Sequence, residues 1–164
     1  MKTTLALLFS LVASAGLAAS FSASTPFQIR LASKPEPGAP KPAHTERLTV
    51  HKVNRADGKR YVEVFDVDKT VLLDQTDVQS TSVVTNATGH PEIDVTFTAD
   101  GTKRFADVTR KNLNHYLAIV IDGQLYSAPI IRSPITEGKA VVSGNFSAEE
   151  AESLSRKINQ SLKH

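Results

Sequence analysis

The C-terminal segment sets the tightest limit on how this chain can fold. Ser147 is followed three residues later by Glu150, the spacing of a capping box, and Glu149 and Glu150 suit the positive end of a helix dipole. Beyond them Ala151, Leu154, Ile158 and Leu162 recur at helical period on one face. A helix with a single apolar stripe draws its stability from whatever covers that stripe. A second helix is expected roughly from Gly101 to Asn112, capped by Thr98 or Asp100, with Phe105, Ala106, Val108 and Thr109 at helical spacing.

Strands supply the cover. Phe27, Ile29 and Leu31 alternate with Gln28 and Arg30, and Leu48 to Val53 alternates again. Asn54, Asp57 and Gly58 then mark a turn before Tyr61, Val62, Val64 and Phe65, which reads as a hairpin. Ile93, Val95 and Phe97 alternate with polar neighbours, and Leu117 to Ile121 runs into the turn signal Asp122-Gly123 before Leu125 to Ile131 returns. Val141 and Val142 begin a further short strand. The expected fold class is α+β, two helices packed on one face of a mostly antiparallel sheet of about four to six strands.

Two stretches fall outside this pattern. Lys2, the apolar run Leu5 to Leu17 and the small residues Ala18, Ala19 and Ser20 have the three parts of a cleavable secretory signal, and the run is shorter than a bilayer-spanning helix requires. Between Ser33 and Thr45 lie Pro35, Pro37, Gly38, Pro40 and Pro42, a run that reads as an extended loop or linker. The expected organisation is therefore a signal peptide over residues 1–20, an N-terminal strand and Pro-rich linker over 21–46, and an α+β domain over 47–164. With Lys2 removed, 18 Lys and Arg face 17 Asp and Glu, a net charge of +1 that offers no electrostatic case for nucleic acid or an anionic membrane. Cysteine is absent, so no disulfide framework and no lipid-modifiable cysteine is available.

The stretch from Leu117 to Leu154 carries a more specific signal. Asp122-Gly123 closes a buried strand, Ser127-Ala128-Pro129 is followed by Ile130 and Ile131, Ile135-Thr136 precedes Gly138, and Ser143-Gly144-Asn145-Phe146 leads to Glu149-Glu150-Ala151 at the opening of a helix. This ordered string resembles the SecD subunit of the bacterial protein-export machinery, in particular the head subdomain of its first large periplasmic domain. The likeness extends upstream through Asp100-Gly101, Phe105 and Thr109-Arg110, and more loosely through Leu72-Leu73, Asp77-Val78 and Ser80 to Ser82. The signature positions Asp122, Gly123, Ala128, Pro129, Gly138, Gly144, Asn145 and Phe146 read mostly as structural: glycines at turns or close approaches, Pro129 at an edge or bulge, and Asn145 folding its amide on the turn before the cap. A complete SecD continues into transmembrane helices that couple export to the proton gradient, so the resemblance implies no motor function for this chain. It implies an exported, non-enzymatic module, periplasmic or extracellular, that binds unfolded or extended polypeptide or another envelope protein and has no membrane span once the signal is removed.

Other chemistries are weaker. Val64 to Leu73 matches the nucleophile motif of haloacid-dehalogenase phosphatases, with Asp66 and Asp68 as the catalytic carboxylates and magnesium as the metal. That chemistry needs a parallel βαβ sheet, whereas the surrounding pattern is one of hairpins, so Asp66, Asp68 and Lys69 are expected to face water. A purely structural accessory subunit is the remaining alternative. His44, His51, His90, His115 and His164 show no metal-ligand spacing, and no Gly-x-Ser-x-Gly elbow surrounds Ser127, Ser143 or Ser147. No cofactor or metal is expected.

Overall fold

In the computed structural model, residues 26–54 and 57–162 are described. The signal-peptide reading falls on residues 1–20 and lies outside them. In chain order the elements are β1 (Phe27–Ser33), β2 (Thr45–Val53), β3 (Arg60–Asp68), β4 (Leu73–Asp74), a 3₁₀ turn (Gln75–Asp77), β5 (Val78–Thr85), β6 (Pro91–Phe97), α1 (Ala99–Lys111), β7 (Tyr116–Ile121), β8 (Gln124–Ser127), β9 (Lys139–Ser143) and α2 (Ala148–Ser161).

The α+β class holds, and the strands divide between two antiparallel sheets. The larger sheet has the order β2-β3-β1-β7-β8, with β4 also paired to β1; the smaller has the order β5-β6-β9. The strand before the Pro-rich run, β1, sits in the middle of the larger sheet, bonded to β7 from Phe27 to Ala32 and to β3 and β4 on its other side. The helices carry the stripes expected of them. α2 packs on β5 and β6, burying Ala151, Leu154 and Ile158, and α1 buries Phe105, Ala106 and Thr109. Thr98 is the α1 cap, accepting from the Gly101 amide at 3.0 Å. Ser147 caps α2 by accepting from the Glu150 amide at 3.1 Å, but the Glu150 carboxylate does not return the bond and lies at a cleft described below.

The reciprocal capping box forms elsewhere, in the 3₁₀ turn between Asp74 and Asp77. Asp77 is buried, and its carboxylate takes the Arg104 guanidinium at 3.0 Å while its carbonyl accepts from the Thr98 amide at 2.8 Å. This one residue therefore ties the start of α1 to the strand connection below it. Gly101 completes the contact, since a Cβ there would lie 2.2 Å from the Asp77 carbonyl oxygen.

Two cores lie on opposite faces of the larger sheet. Phe27, Ile29, Leu117, Ile119 and Ile121 face the smaller sheet and the helices, meeting Ile93, Val95, Phe97, Phe105, Leu154 and Ile158. The other face buries Ala32, Val50, Phe65, Val67, Ala118, Val120, Leu125 and Ala128, all contributed by the larger sheet and its immediate continuation. A face can cover itself only if the sheet curls, and β2 and β8, the two ends of the strand order, come into contact without hydrogen-bonding. The continuous apolar run of β7 follows from this arrangement, because both its faces are buried. Lys34 closes one end of the second core, its ammonium 3.8 Å from the Phe65 ring centroid.

Candidate functional site

The curl leaves a seam between β2 and β8. It opens as a pocket of about 250 Å³ between Leu48–His51 and Gly123–Tyr126, and continues into a cleft of about 1000 Å³ bounded by the far half of β2, by Ser127–Pro129 and by Ser143–Asn145. His90 and Tyr61 stand at the margin of the larger part, and Glu150 at the smaller.

Most of the signature positions converge here. Asp122 and Gly123, with φ of 50° and 77°, form the two-residue turn that pairs Ile121 with Gln124, and this left-handed geometry explains the glycine. The Asp122 carboxylate pairs with Lys157 on α2. The β7–β8 ladder shifts register between Ile119 and Val120. Past the shift Ala128 enters the second core, while the Pro129 carbonyl accepts from the Leu117 amide at 2.8 Å. The ring of Phe146 lies over Gly144, where a Cβ would come within 2.8 Å of it, and stacks on Tyr126 at 5.4 Å between centroids. Asn145 does not fold onto the turn backbone; it lines both parts of the cleft. Gly138 stands apart from the cleft, against Thr102 of α1.

The backbone facing the seam is the feature that the residue types did not announce. The Asn54 amide bonds the Lys59 carbonyl and the Lys69 amide bonds the His44 carbonyl, which fixes the phase of the β2–β3 ladder. Antiparallel pairing alternates bonded and non-bonded residue pairs, so Thr49, His51 and Val53 turn their N–H and C=O away from β3. Among the described residues no strand pairs with them, because β2 ends the sheet order. Burial and the nearby carboxylates of Glu150 and Asp122 push the Tyr126 phenol above its ordinary pKa. It stays protonated at neutral pH and donates to Gln124 Oε1 at 3.0 Å. On the same face of β2 as Val50, Lys52 and Lys34 hold the Glu63 carboxylate at 2.8 and 3.2 Å, and the hydrogen bond from Lys52 is the main reason its pKa is lowered.

The aspartate pair of β3 is arranged differently from the sequence expectation. Asp66 does not face water: it is 3% exposed and receives Arg47 Nε at 2.8 Å and Nη2 at 3.0 Å. That two-point bond holds its carboxyl below the usual range. Asp68 accepts from the Thr70 amide at 2.7 Å, which lowers its pKa as well. A nucleophilic carboxylate would have to leave Arg47, and β3 is antiparallel to both neighbours rather than part of a parallel βαβ unit. The two aspartates therefore read as ladder-end ties.

A two-sheet α+β domain with a self-curled larger sheet, an open strand edge and a Gly-Asn-Phe turn beside it defines the structural class. The sequence profile of the family described as "SecDF, P1 head subdomain" matches residues 49–162, and the chain belongs to that family. It is 45% identical over 83 residues to the "Protein translocase subunit SecDF" of Thermus thermophilus, covering 51% of this chain and 11% of that protein. It is 33% identical over 113 residues to the "Protein translocase subunit SecD" of Magnetococcus marinus, covering 69% of this chain and 21% of that protein. The chain thus spans a minor part of these curated relatives. A solved structure described as "Structure and function of a membrane component SecDF that enhances protein export" superposes with a TM-score of 0.59 at 28% identity, over 80% of this chain and 60% of that one. Among the described residues no helix is long and apolar enough to cross a membrane.

Proposed function

We propose that this chain is an exported, non-enzymatic module that holds extended segments of polypeptide in the cleft between β2 and β8. The observation that carries the reading is the meeting of the family's signature positions with an unpaired strand edge along one cleft. An extended chain is the ligand form that offers backbone and side chains to such a site together. The relatives are named as subunits of a protein translocase. On this reading residues 1–20 are the removed leader, and the chain's share of export is the binding step without a motor.

The test uses one protein in two forms, unfolded by reduction and carboxymethylation or native, with binding followed by fluorescence anisotropy. Binding of the unfolded form alone is expected, in the micromolar to millimolar range, roughly −4 to −8 kcal/mol. Equal binding of both forms, or of neither, overturns the reading; the latter result is what a purely structural subunit would give.

A further inference from the structure

We infer that the smaller pocket of the seam takes one basic side chain from the polypeptide, with its methylene stem against the stacked rings of Tyr126 and Phe146 and its cationic head at the Glu150 carboxylate. This rests on the proposed function and names the kind of residue by which the polypeptide is recognised.

Size, surface and charge each narrow the ligand. At about 250 Å³ the pocket is smaller than the roughly 300–1,000 Å³ that encloses a drug-sized molecule, so it suits a single side chain. Its wall includes Tyr126 and Phe146, whose rings stack at 5.4 Å between centroids with 24° between their planes. Aromatic surface of this kind accommodates the stem of a long basic side chain and attracts its charge. Among the described residues lining the pocket there is no lysine or arginine, and Glu150 supplies a carboxylate. Glu150 is exposed, and among the described residues nothing bonds that carboxylate, since it does not return the capping bond at the start of α2. The neighbouring carboxylate of Asp122 is already held by Lys157. The Tyr126 phenol registers the same field: after burial, Glu150 is the largest cause of its raised pKa, ahead of Asp122.

The rest of the ligand has a place as well. Tyr126 and Asn145 line both parts of the cleft, so a chain anchored in the pocket continues directly into the larger part of about 1000 Å³. A free amino acid fills only the first of these spaces, whereas an extended polypeptide fills both. An acidic residue at the anchoring position is repelled by Glu150.

The experiment follows fluorescence anisotropy of a labelled peptide of about seven residues, Ser and Thr around one central arginine, added to the full chain. A second peptide carries citrulline, the uncharged isostere, in place of the arginine. The arginine peptide is expected to bind at least about fivefold more tightly, and Glu150→Gln to remove most of that advantage without weakening the citrulline peptide. That variant keeps a strong helix former at an exposed position, so the far-UV spectrum should not change. Glu149→Gln alters an exposed carboxylate outside the pocket and should leave the advantage intact. In NMR spectra the ring signals of Tyr126 and Phe146 should move on binding, and those of Tyr61, at the larger part of the cleft, should move less. Equal affinity for the two peptides, an equal loss in Glu149→Gln, or shifts at Tyr61 without shifts at Tyr126 overturns the basic anchor and leaves the proposed function standing. Arginine amide binding as tightly as the arginine peptide overturns polypeptide as the source of the side chain. Failure of both peptides while the unfolded protein still binds overturns the inference as well. Failure of the unfolded protein too overturns the reading beneath it.

Discussion

β5 and β2 each end a sheet, and the molecule treats them in opposite ways. Over β5 lies α2, whose Asn159 copies the bonding of a missing strand while Thr81 and Ser155 join hydroxyls beneath it at 2.9 Å. Beside β2 lies β8, in contact with it, and among the described residues no element bonds that edge. A bare edge is a route to self-association, and β2 carries charged residues that discourage it: Glu46, Arg47 and Lys52 lie along its nine residues. Arg47 and Lys52 are in turn anchored to Asp66 and Glu63 on β3. The difference teaches that a single side-chain amide can bond one residue of a sheet edge, Thr81, where β2 has no counterpart among the described residues.

The contrast can be broken most severely from the closed side. Ile158 is fully buried under α2, and Ile158→Ala should cost about 2–5 kcal/mol through lost burial and a residual cavity. With α2 loosened, β5 becomes a second bare edge, so thermal denaturation should show the loss and sedimentation should show new association. Asn159→Leu is the more selective form of the same change. It keeps the helix but leaves the buried Thr81 backbone without partners, at a cost of about 1–3 kcal/mol. If Asn159→Leu stays monomeric at high concentration, the amide is not what guards β5.

From the open side, Gly144→Ala should push the Phe146 ring away from Tyr126, costing about 1–2 kcal/mol. The Tyr126 phenol should then titrate nearer its ordinary value, as seen by NMR, because part of its burial is lost. The smallest effect concerns the ties behind the open edge. Asp66, Asp68 and Glu63 all have folded pKa values below the ordinary ones. Their contribution is complete above the ordinary carboxylate range near about pH 4 and is lost as pH falls through the lower folded values. Melting temperature should accordingly be flat near neutrality and decline below about pH 4. Arg47→Ala should raise the Asp66 pKa toward its ordinary value, so that the melting temperature falls at neutral pH and the decline below about pH 4 becomes shallower, which a pH series of melts would show.

Much of this molecule was legible from local pattern. The α2 stripe, the Ser147 cap, the alternation of β6 and the Asp122-Gly123 turn are decided by neighbours within a few residues, and the structure places each as the period and turn chemistry imply. The string from Leu117 to Leu154 also identified the family. Other features were not legible. Asp66 looked like a solvated strand exit because nothing nearby in sequence reveals Arg47 lying across from it in the β2–β3 register. Asp77 gave no local sign that it would hold Arg104 of a later helix. Glu150 fitted a capping box, yet its side chain lies at the cleft.

The sequence by itself determined the elements, their apolar faces and the turns between them, because those depend on torsional preference and periodicity over short spans. It did not decide that the strands form two sheets, that the larger sheet curls until β2 meets β8, or that Asn159 bonds Thr81 at the edge of β5 while no described strand pairs with Thr49, His51 and Val53. Whether a strand's backbone is paired or bare depends on which distant segment lies beside it, and only the tertiary packing sets that. The candidate site belongs to this second kind of fact, made mostly of backbone that any side chains could have carried.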